Sequence, residues 1–162
     1  MPQLRTRLLV MAATLVSGIL AGGIIDRVIV GGPAWHELGA EAWVEYSRRA
    51  DLWTGLVAYP VEGIGATLLI VAAALSNYFD RSARREVALA LYGAVALSIA
   101  GLLLTAKAAP IMLSLATPQS ASANRHAFDE FFLWGLYLRG FADTLAFGAL
   151  VWALSNLTRR TG

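Results

Sequence analysis

Two opposite charges interrupt the last apolar stretch of the sequence. Arg139 and Asp143 stand four residues apart in a run that continues to Leu154. On a helix, side chains with this spacing share one face, so the two groups are expected to meet each other or a common partner. Ionisable groups at membrane depth are costly, usually face a bundle interior, and are candidates for a functional site. The alternative is a structural ion pair that fixes the register of the helix.

A third charge, Glu62, falls at a similar depth in an earlier apolar stretch. It follows Trp53 by nine residues, which at 1.5 Å per helical residue predicts a depth of roughly 14 Å. Counted from the start of the last apolar stretch, Arg139 and Asp143 reach roughly 12 Å and roughly 18 Å. Pro60 is expected to kink or open the helix beside Glu62. We therefore expect Glu62, Arg139 and Asp143 to face one cavity and one another.

These residue types suit acid–base chemistry. A carboxylate out of water can take a proton from an acidic carbon or a phenol, and a nearby cation stabilises the enolate or phenolate that forms. Either Glu62 or Asp143 is the expected base. We favour Glu62, in which case Asp143 would orient Arg139. Arg139 would hold the developing oxyanion with Lys107 or Tyr137, although Lys107 could instead extend to the membrane surface. Aromatic side chains that suit a flat, apolar substrate are Tyr59, Trp134, Tyr137 and Phe141.

Neither a metal nor a cofactor is expected. His36 with Glu37 and Glu41 lacks the second histidine of a zincin helix, and a solvated acidic helix face is the alternative interpretation. His36 and His126 lie in predicted external segments, where they are candidates for contact with the substrate but not for haem ligation. The chain contains no hydrolase, nucleotide-binding or dinucleotide-binding motif.

The composition indicates an integral membrane protein. The chain of 162 residues is 57% hydrophobic and 15% charged, and its mean hydropathy is +0.60, which is unusual for a soluble domain of this length. The absence of cysteine excludes disulfides and thiolate ligands. The arginines sort by membrane side rather than forming one patch, so a nucleic-acid partner is not expected.

Four apolar stretches predict an all-α, four-helix membrane bundle that forms a single domain, with spans at about 8–30, 52–79, 87–108 and 131–155. Residues 108–124, which include Pro110 and Pro118, are predicted to form an external loop with a re-entrant or surface turn. Residues 31–51 are too charged to span, and they predict an amphipathic external segment that lies on the bilayer or caps the bundle. Its predicted apolar face comprises Trp35, Leu38, Ala42 and Tyr46.

Two short elements of the sequence resemble the anthrone-oxygenase-like family of small four-helix membrane proteins. The first, Gly31-Gly32-Pro33-Ala34-Trp35, begins the long external segment. The second runs from Phe132 through Trp134 to Arg139 and opens the last span. The resemblance implies oxidation or rearrangement of a polycyclic aromatic polyketide, with dioxygen and without a metal or flavin.

A different class of function is also compatible with the sequence. The chain could bind a lipid or another apolar small molecule without reaction, or serve as a transporter or assembly subunit. Four spans are few for a secondary transporter, and residues 8–79 and 87–155 show no inverted repeat. The sequence leaves a homo-oligomer open.

The distribution of arginine predicts the topology. Cytoplasmic segments of membrane proteins are enriched in Lys and Arg, and seven arginines lie in the amino terminus, the turn at 80–86 and the carboxyl tail. We therefore expect both termini on the cytoplasmic side of the cell membrane and residues 31–51 outside. An introduced Ser82→Cys should resist an impermeant thiol reagent in intact cells, whereas a cysteine within 31–51 should react. Labelling of the cysteine at position 82 from outside would contradict this orientation.

Overall fold

A computed structural model describes residues 2–80 and 85–158 of the chain. These residues contain no strand, which confirms the all-α class. The basic turn around Ser82 and the carboxyl-terminal Arg159 and Arg160 lie outside the described residues. The α-helices of the described part are α1 (Pro2–Asp26), α2 (Gly32–Leu38), α3 (Ala40–Arg49), α4 (Gly55–Tyr78), α5 (Arg85–Ser114), α6 (Ala121–Phe131) and α7 (Arg139–Thr158), and π-helical turns connect α1 to α2 (Arg27–Gly31) and α6 to α7 (Phe132–Leu138).

Within residues 2–80 and 85–158, four helical stretches are long and apolar enough to cross a membrane, and they fit a lipid bilayer environment. The first and last extend beyond the predicted spans because the π-helical turns continue the helix instead of ending it. The first stretch ends only before Gly39, whose positive φ of 90° is readily adopted by glycine. The four stretches are Leu4–Leu38, Gly55–Tyr78, Arg85–Ser114 and Ala121–Leu157.

The external loop predicted at 108–124 is largely wrong. Helix α5 continues through Pro110 to Ser114, and α6 starts at Ala121, so only 115–120 connect the two helices. Proline removes one backbone hydrogen bond, which membrane helices tolerate where neighbouring helices support them. Here Met112 and Leu115 are buried in a hydrophobic cluster with residues of α3 and α6, and this burial extends α5 beyond its proline.

Helices α2 and α3 form a cap over one end of the bundle, which is one of the two arrangements predicted for residues 31–51. The buried residues of α3 are Trp43, Val44 and Ser47, whereas Leu38, Ala42 and Tyr46 of the predicted apolar face are exposed. The predicted apolar face assumed one continuous helix through Gly39, whereas the helix is interrupted at this residue. Because α3 is a separate helix that begins at Ala40, its side chains are not in register with those of α2, and a different face of α3 packs against α6.

Two hydrophobic clusters lie at opposite ends of the molecule. The larger cluster joins α1, α4, α5 and α7 through mostly small or aliphatic side chains, among them Val10, Ile70 and Leu150. The second cluster is aromatic and joins the cap to α5 and α6 through Trp43, Phe128 and Phe132. Polar contacts also fix the cap, because the Asn124 amide donates to both carboxylate oxygens of Glu41 at 3.0 and 2.9 Å.

Close contact between α1 and α7 depends on Gly140. A Cβ atom at this position would overlap the Cγ2 methyl of Ile24, a buried β-branched side chain with little rotamer freedom in a helix. We expect Gly140→Ala to destabilise the bundle by about 1–3 kcal/mol through overpacking. Thermal unfolding in a single detergent measures the effect.

Gly148 provides a matched control on the same helix, since a Cβ there meets nothing within 4 Å. Gly148→Ala should leave stability unchanged or raise it, because alanine forms helices better than glycine by about 0.5–1 kcal/mol. Equal melting temperatures for Gly140→Ala and the unmodified protein would contradict the close packing described here.

Candidate functional site

Two adjoining cavities lie between the membrane helices. The first, the deep cavity, measures about 250 Å³ and is bounded by α1, α4, α5 and α7. The second, the cap-side cavity, measures about 330 Å³ and extends toward the connection between α3 and α4. The two cavities are adjacent, because six residues line both of them. The shared residues are Leu20, Tyr59, Pro60, Thr105, Ala109 and Arg139.

Arg139 and Asp143 meet as their spacing predicts. The Arg139 Nε atom lies 3.3 Å from Asp143 Oδ2, and both side chains are largely buried. Gly101 of α5 makes this arrangement possible, since a Cβ there would lie 2.5 Å from Asp143 Oδ1. The ion pair therefore sits in the wall of the deep cavity in direct contact with α5.

Glu62 does not share the deep cavity with Asp143. It lines the cap-side cavity, whereas Asp143 lines the deep one, and Arg139 belongs to both walls. The predicted common pocket is therefore divided between two adjacent cavities that share Arg139 in their walls. None of the salt bridges in the described part of the chain involves Glu62, so this carboxylate differs from the paired Asp143.

A second buried ion pair, Arg27 with Asp51, was not predicted from the sequence. Arg27 Nη2 lies 2.6 Å from Asp51 Oδ1, and the Tyr59 hydroxyl donates to the same oxygen at 3.0 Å. Arg27 also donates to the Tyr59 oxygen and lies 4.8 Å from the centre of its ring. Asp51 is only 4% exposed, so these groups belong to the wall of the cap-side cavity.

Asp51 belongs to the segment at residues 31–51 that was predicted to be external, and no role was predicted for Arg27. The sequence contains one indication that these two charges are buried, because an apolar residue directly follows each of them: Val28 follows Arg27, and Leu52 follows Asp51. Ionisable groups that border apolar membrane segments can face the interior of the bundle rather than water.

Both arginines of the site adjoin π-helical turns. Arg27 begins the first π-helical turn, and Arg139 directly follows the second. The two turns are in contact with each other. Wider helical turns of this kind are frequent at functional sites, since they redirect side chains relative to a regular helix.

Of the four aromatic residues predicted to surround the substrate, Tyr59 lines the two cavities and the other three do not. Tyr137 and Phe141 line a separate groove on the outside of α1 and α7. On an α-helix, positions 139 and 143 share a face and position 141 lies on the opposite side, so Phe141 points away from the cavities. Trp134 packs under Lys107, whose Nζ lies 5.4 Å from the ring centre, and neither residue lines the two cavities.

The two histidines are also outside the cavities. The ring of His36 packs edge-on against Phe128 and Phe132, at centroid distances of 5.0 and 4.9 Å. His126 is exposed on α6. The geometry therefore gives His36 a role in packing the cap and brings neither histidine to Glu62.

The walls of the two cavities include exposed apolar side chains of α4 and α5. Leu56 and Ile64 of α4 and Leu113 of α5 line them, yet about half of each side chain is exposed, at 49%, 50% and 51%. In a bilayer these exposed apolar side chains would face lipid. No protein-family model, curated protein or solved structure matches this chain.

The ion pair predicts an asymmetric response to mutation. A stranded carboxyl group can become neutral by taking up a proton, whereas a guanidinium group cannot lose its charge. We expect Asp143→Asn to cost about 3–5 kcal/mol, as for one broken partner of a buried pair, and Arg139→Leu to cost less. Thermal unfolding of both variants in one detergent measures the difference.

The pair formed by Arg125 and Asp129 is a suitable control, because it has the same spacing but is more than half exposed. Asp129→Asn should change stability by less than about 1 kcal/mol. Equal destabilisation by Arg139→Leu and Asp143→Asn would contradict the expectation that an unpaired guanidinium group costs more than an unpaired carboxyl group.

Proposed function

We propose that this protein is a membrane-embedded enzyme that removes a proton from an apolar, ring-containing ketone or phenol. The observation that carries the proposal is the position of Glu62, which is free of salt bridges to the described residues and lines the same cavity as Arg139 and Tyr59. A free carboxylate acts as a base, and a fixed guanidinium group stabilises an oxyanion in a site of low polarity.

In the proposed reaction, the substrate enters between α4 and α5 and occupies the cap-side cavity with its carbonyl oxygen toward Arg139. Glu62 takes a proton from the adjacent carbon, and the electron pair of that C–H bond forms the enolate. The negative charge develops on the oxygen beside the guanidinium group. If Glu62 returns the proton to another carbon of the substrate, the result is a rearrangement that consumes no other reactant.

Oxygenation is the extension that the resemblance to anthrone-oxygenase-like proteins favours. The carbanion form of the enolate would add dioxygen, and protonation would give a hydroperoxide. Loss of water from this hydroperoxide converts the original CH₂ group into a ketone, so dioxygen is the oxidant and the carbon is oxidised. The proposed substrate is then a polycyclic aromatic polyketide, and the scheme uses no metal or flavin.

The alternative is a protein that binds an apolar molecule without reacting with it. Its support is that both cavity arginines already have acidic partners, Arg27 with Asp51 and Arg139 with Asp143. Paired charges of this kind can shape a cavity without taking part in chemistry. For either function we also propose that both termini face the cytoplasm, on the basis of the arginine distribution, and a homo-oligomer is compatible with both.

Proton exchange tests the proposal separately from oxygenation. The substrate is anthrone, a tricyclic ketone with an acidic CH₂ group, supplied to the protein in lipid nanodiscs in D₂O under nitrogen. We expect the protein to accelerate deuterium incorporation above the background of empty nanodiscs, as measured by mass spectrometry. Glu62→Gln should lower the catalysed rate by about 10²- to 10⁴-fold, the usual cost of losing a general base, while anthrone binding remains measurable.

Glu37→Gln is the matched control, because Glu37 is an exposed glutamate of the cap outside both cavities, and its rate should equal that of the unmodified protein. A Glu62→Gln variant that exchanges at the unmodified rate would show that Glu62 is not the base. Anthrone binding without catalysed exchange in the unmodified protein would favour the binding function.

A further inference from the structure

The deep cavity contains a hydroxyl group that the proton-transfer scheme does not use. Ser17 of α1 lines this cavity and is only 2% exposed, yet its Oγ atom has no hydrogen-bond partner in the structure. A buried polar group without a partner costs about 1–3 kcal/mol, and lipid supplies no compensating water. The position of Ser17 therefore favours a partner that is not part of the chain.

The other serine and threonine hydroxyl groups that line the deep cavity already donate hydrogen bonds within the protein. Thr67 donates to the Gly63 carbonyl at 2.9 Å, so Ser98, which lies 2.6 Å from Thr67 Oγ1, must donate to Thr67. Thr105 donates to the Gly101 carbonyl at 2.9 Å. Each hydroxyl has a single hydrogen, so Ser98 and Thr105 can only accept a further hydrogen bond.

The charges of the deep cavity limit what can bind there. Asp143 disfavours an anionic group such as a phosphate or carboxylate, and Arg139 disfavours a cation. Most of the remaining wall is apolar, including Leu20, Ile64 and Ile70. A volume of about 250 Å³ far exceeds the roughly 30 Å³ that one water occupies, and additional waters would face apolar walls. A neutral molecule with an apolar body fits these constraints.

We propose that the deep cavity is a subsite for a neutral ring oxygen of the ligand, held by Ser17. A carbonyl or hydroxyl oxygen accepts the Ser17 hydrogen, and a ring hydroxyl can in addition donate to Ser98 or Thr105. This inference rests on the proposed function in one respect, namely that the same molecule continues past Tyr59 and Arg139 into the cap-side cavity. The substrate class is then a polycyclic compound with an oxygen substituent remote from the carbon that Glu62 deprotonates.

A pair of bicyclic probes isolates the contribution of this hydrogen bond. 2-Naphthol and 2-methylnaphthalene have similar shapes, but a methyl group replaces the hydroxyl in the second. Equilibrium binding of each probe is measured with protein in lipid nanodiscs, after subtraction of empty nanodiscs. We expect Ser17→Ala to weaken 2-naphthol binding by about 3- to 10-fold, the range that one net hydrogen bond supplies, and to leave 2-methylnaphthalene binding unchanged.

Ser114→Ala is the matched control, because Ser114 is an exposed helical serine that donates only to the Ile111 carbonyl. It should alter neither affinity. The proposal is overturned if the unmodified protein does not bind 2-naphthol, if Ser17→Ala leaves both affinities unchanged, or if it weakens both probes equally, which would indicate a change of cavity shape.

The outcome is independent of catalysis. Glu62→Gln should preserve the effect of Ser17→Ala on 2-naphthol, since Glu62 lines the other cavity. A protein that shows the Ser17 effect but exchanges no deuterium into anthrone would contradict the enzyme and support the subsite. Catalysed exchange without the Ser17 effect would contradict the subsite alone.

Discussion

A guanidinium group inside a membrane bundle must keep a negative charge within reach, because it cannot become neutral. Asp143 meets this requirement one helical turn from Arg139, at 3.3 Å. The pair also constrains the neighbouring helix, since α5 can approach Asp143 only where residue 101 lacks a side chain. The ion pair thus places α7 against α5, and the deep cavity lies beside this contact, where α1 and α4 complete its wall.

The second ion pair connects the cap to this arrangement. Arg27 belongs to the π-helical turn after α1, Asp51 precedes α4, and Tyr59 lies one turn into α4. A movement of the cap would therefore alter the wall of the cap-side cavity. Both arginines are paired with aspartates, whereas Glu62 forms no salt bridge with the described residues, and this difference supports the proposed role of Glu62 as the base.

Local spacing along a helix was predictable from the sequence, and contacts between distant segments were not. The four-residue spacing of Arg139 and Asp143 correctly predicted their contact, and hydropathy correctly predicted four long apolar helices. The contact between Arg27 and Asp51 was not predictable, because charged side chains near the ends of spans usually reach water. Phe141 was assigned to the pocket by proximity in sequence, whereas helical phase turns it outward. The π-helical turns, which extend two helices, have no sequence pattern of their own.

Photolabelling with benzophenone tests most directly whether the cavities bind an apolar ligand. Benzophenone is a photoreactive apolar ketone, and labelled residues of protein in lipid nanodiscs can be mapped by mass spectrometry. The cavities predict labelling at buried wall residues such as Leu20, Ile70 and Ala146, with loss of the label when excess anthrone competes. Labelling confined to outward-facing side chains such as Leu15, Leu103 and Trp152, and insensitive to anthrone, would contradict a ligand site inside the bundle.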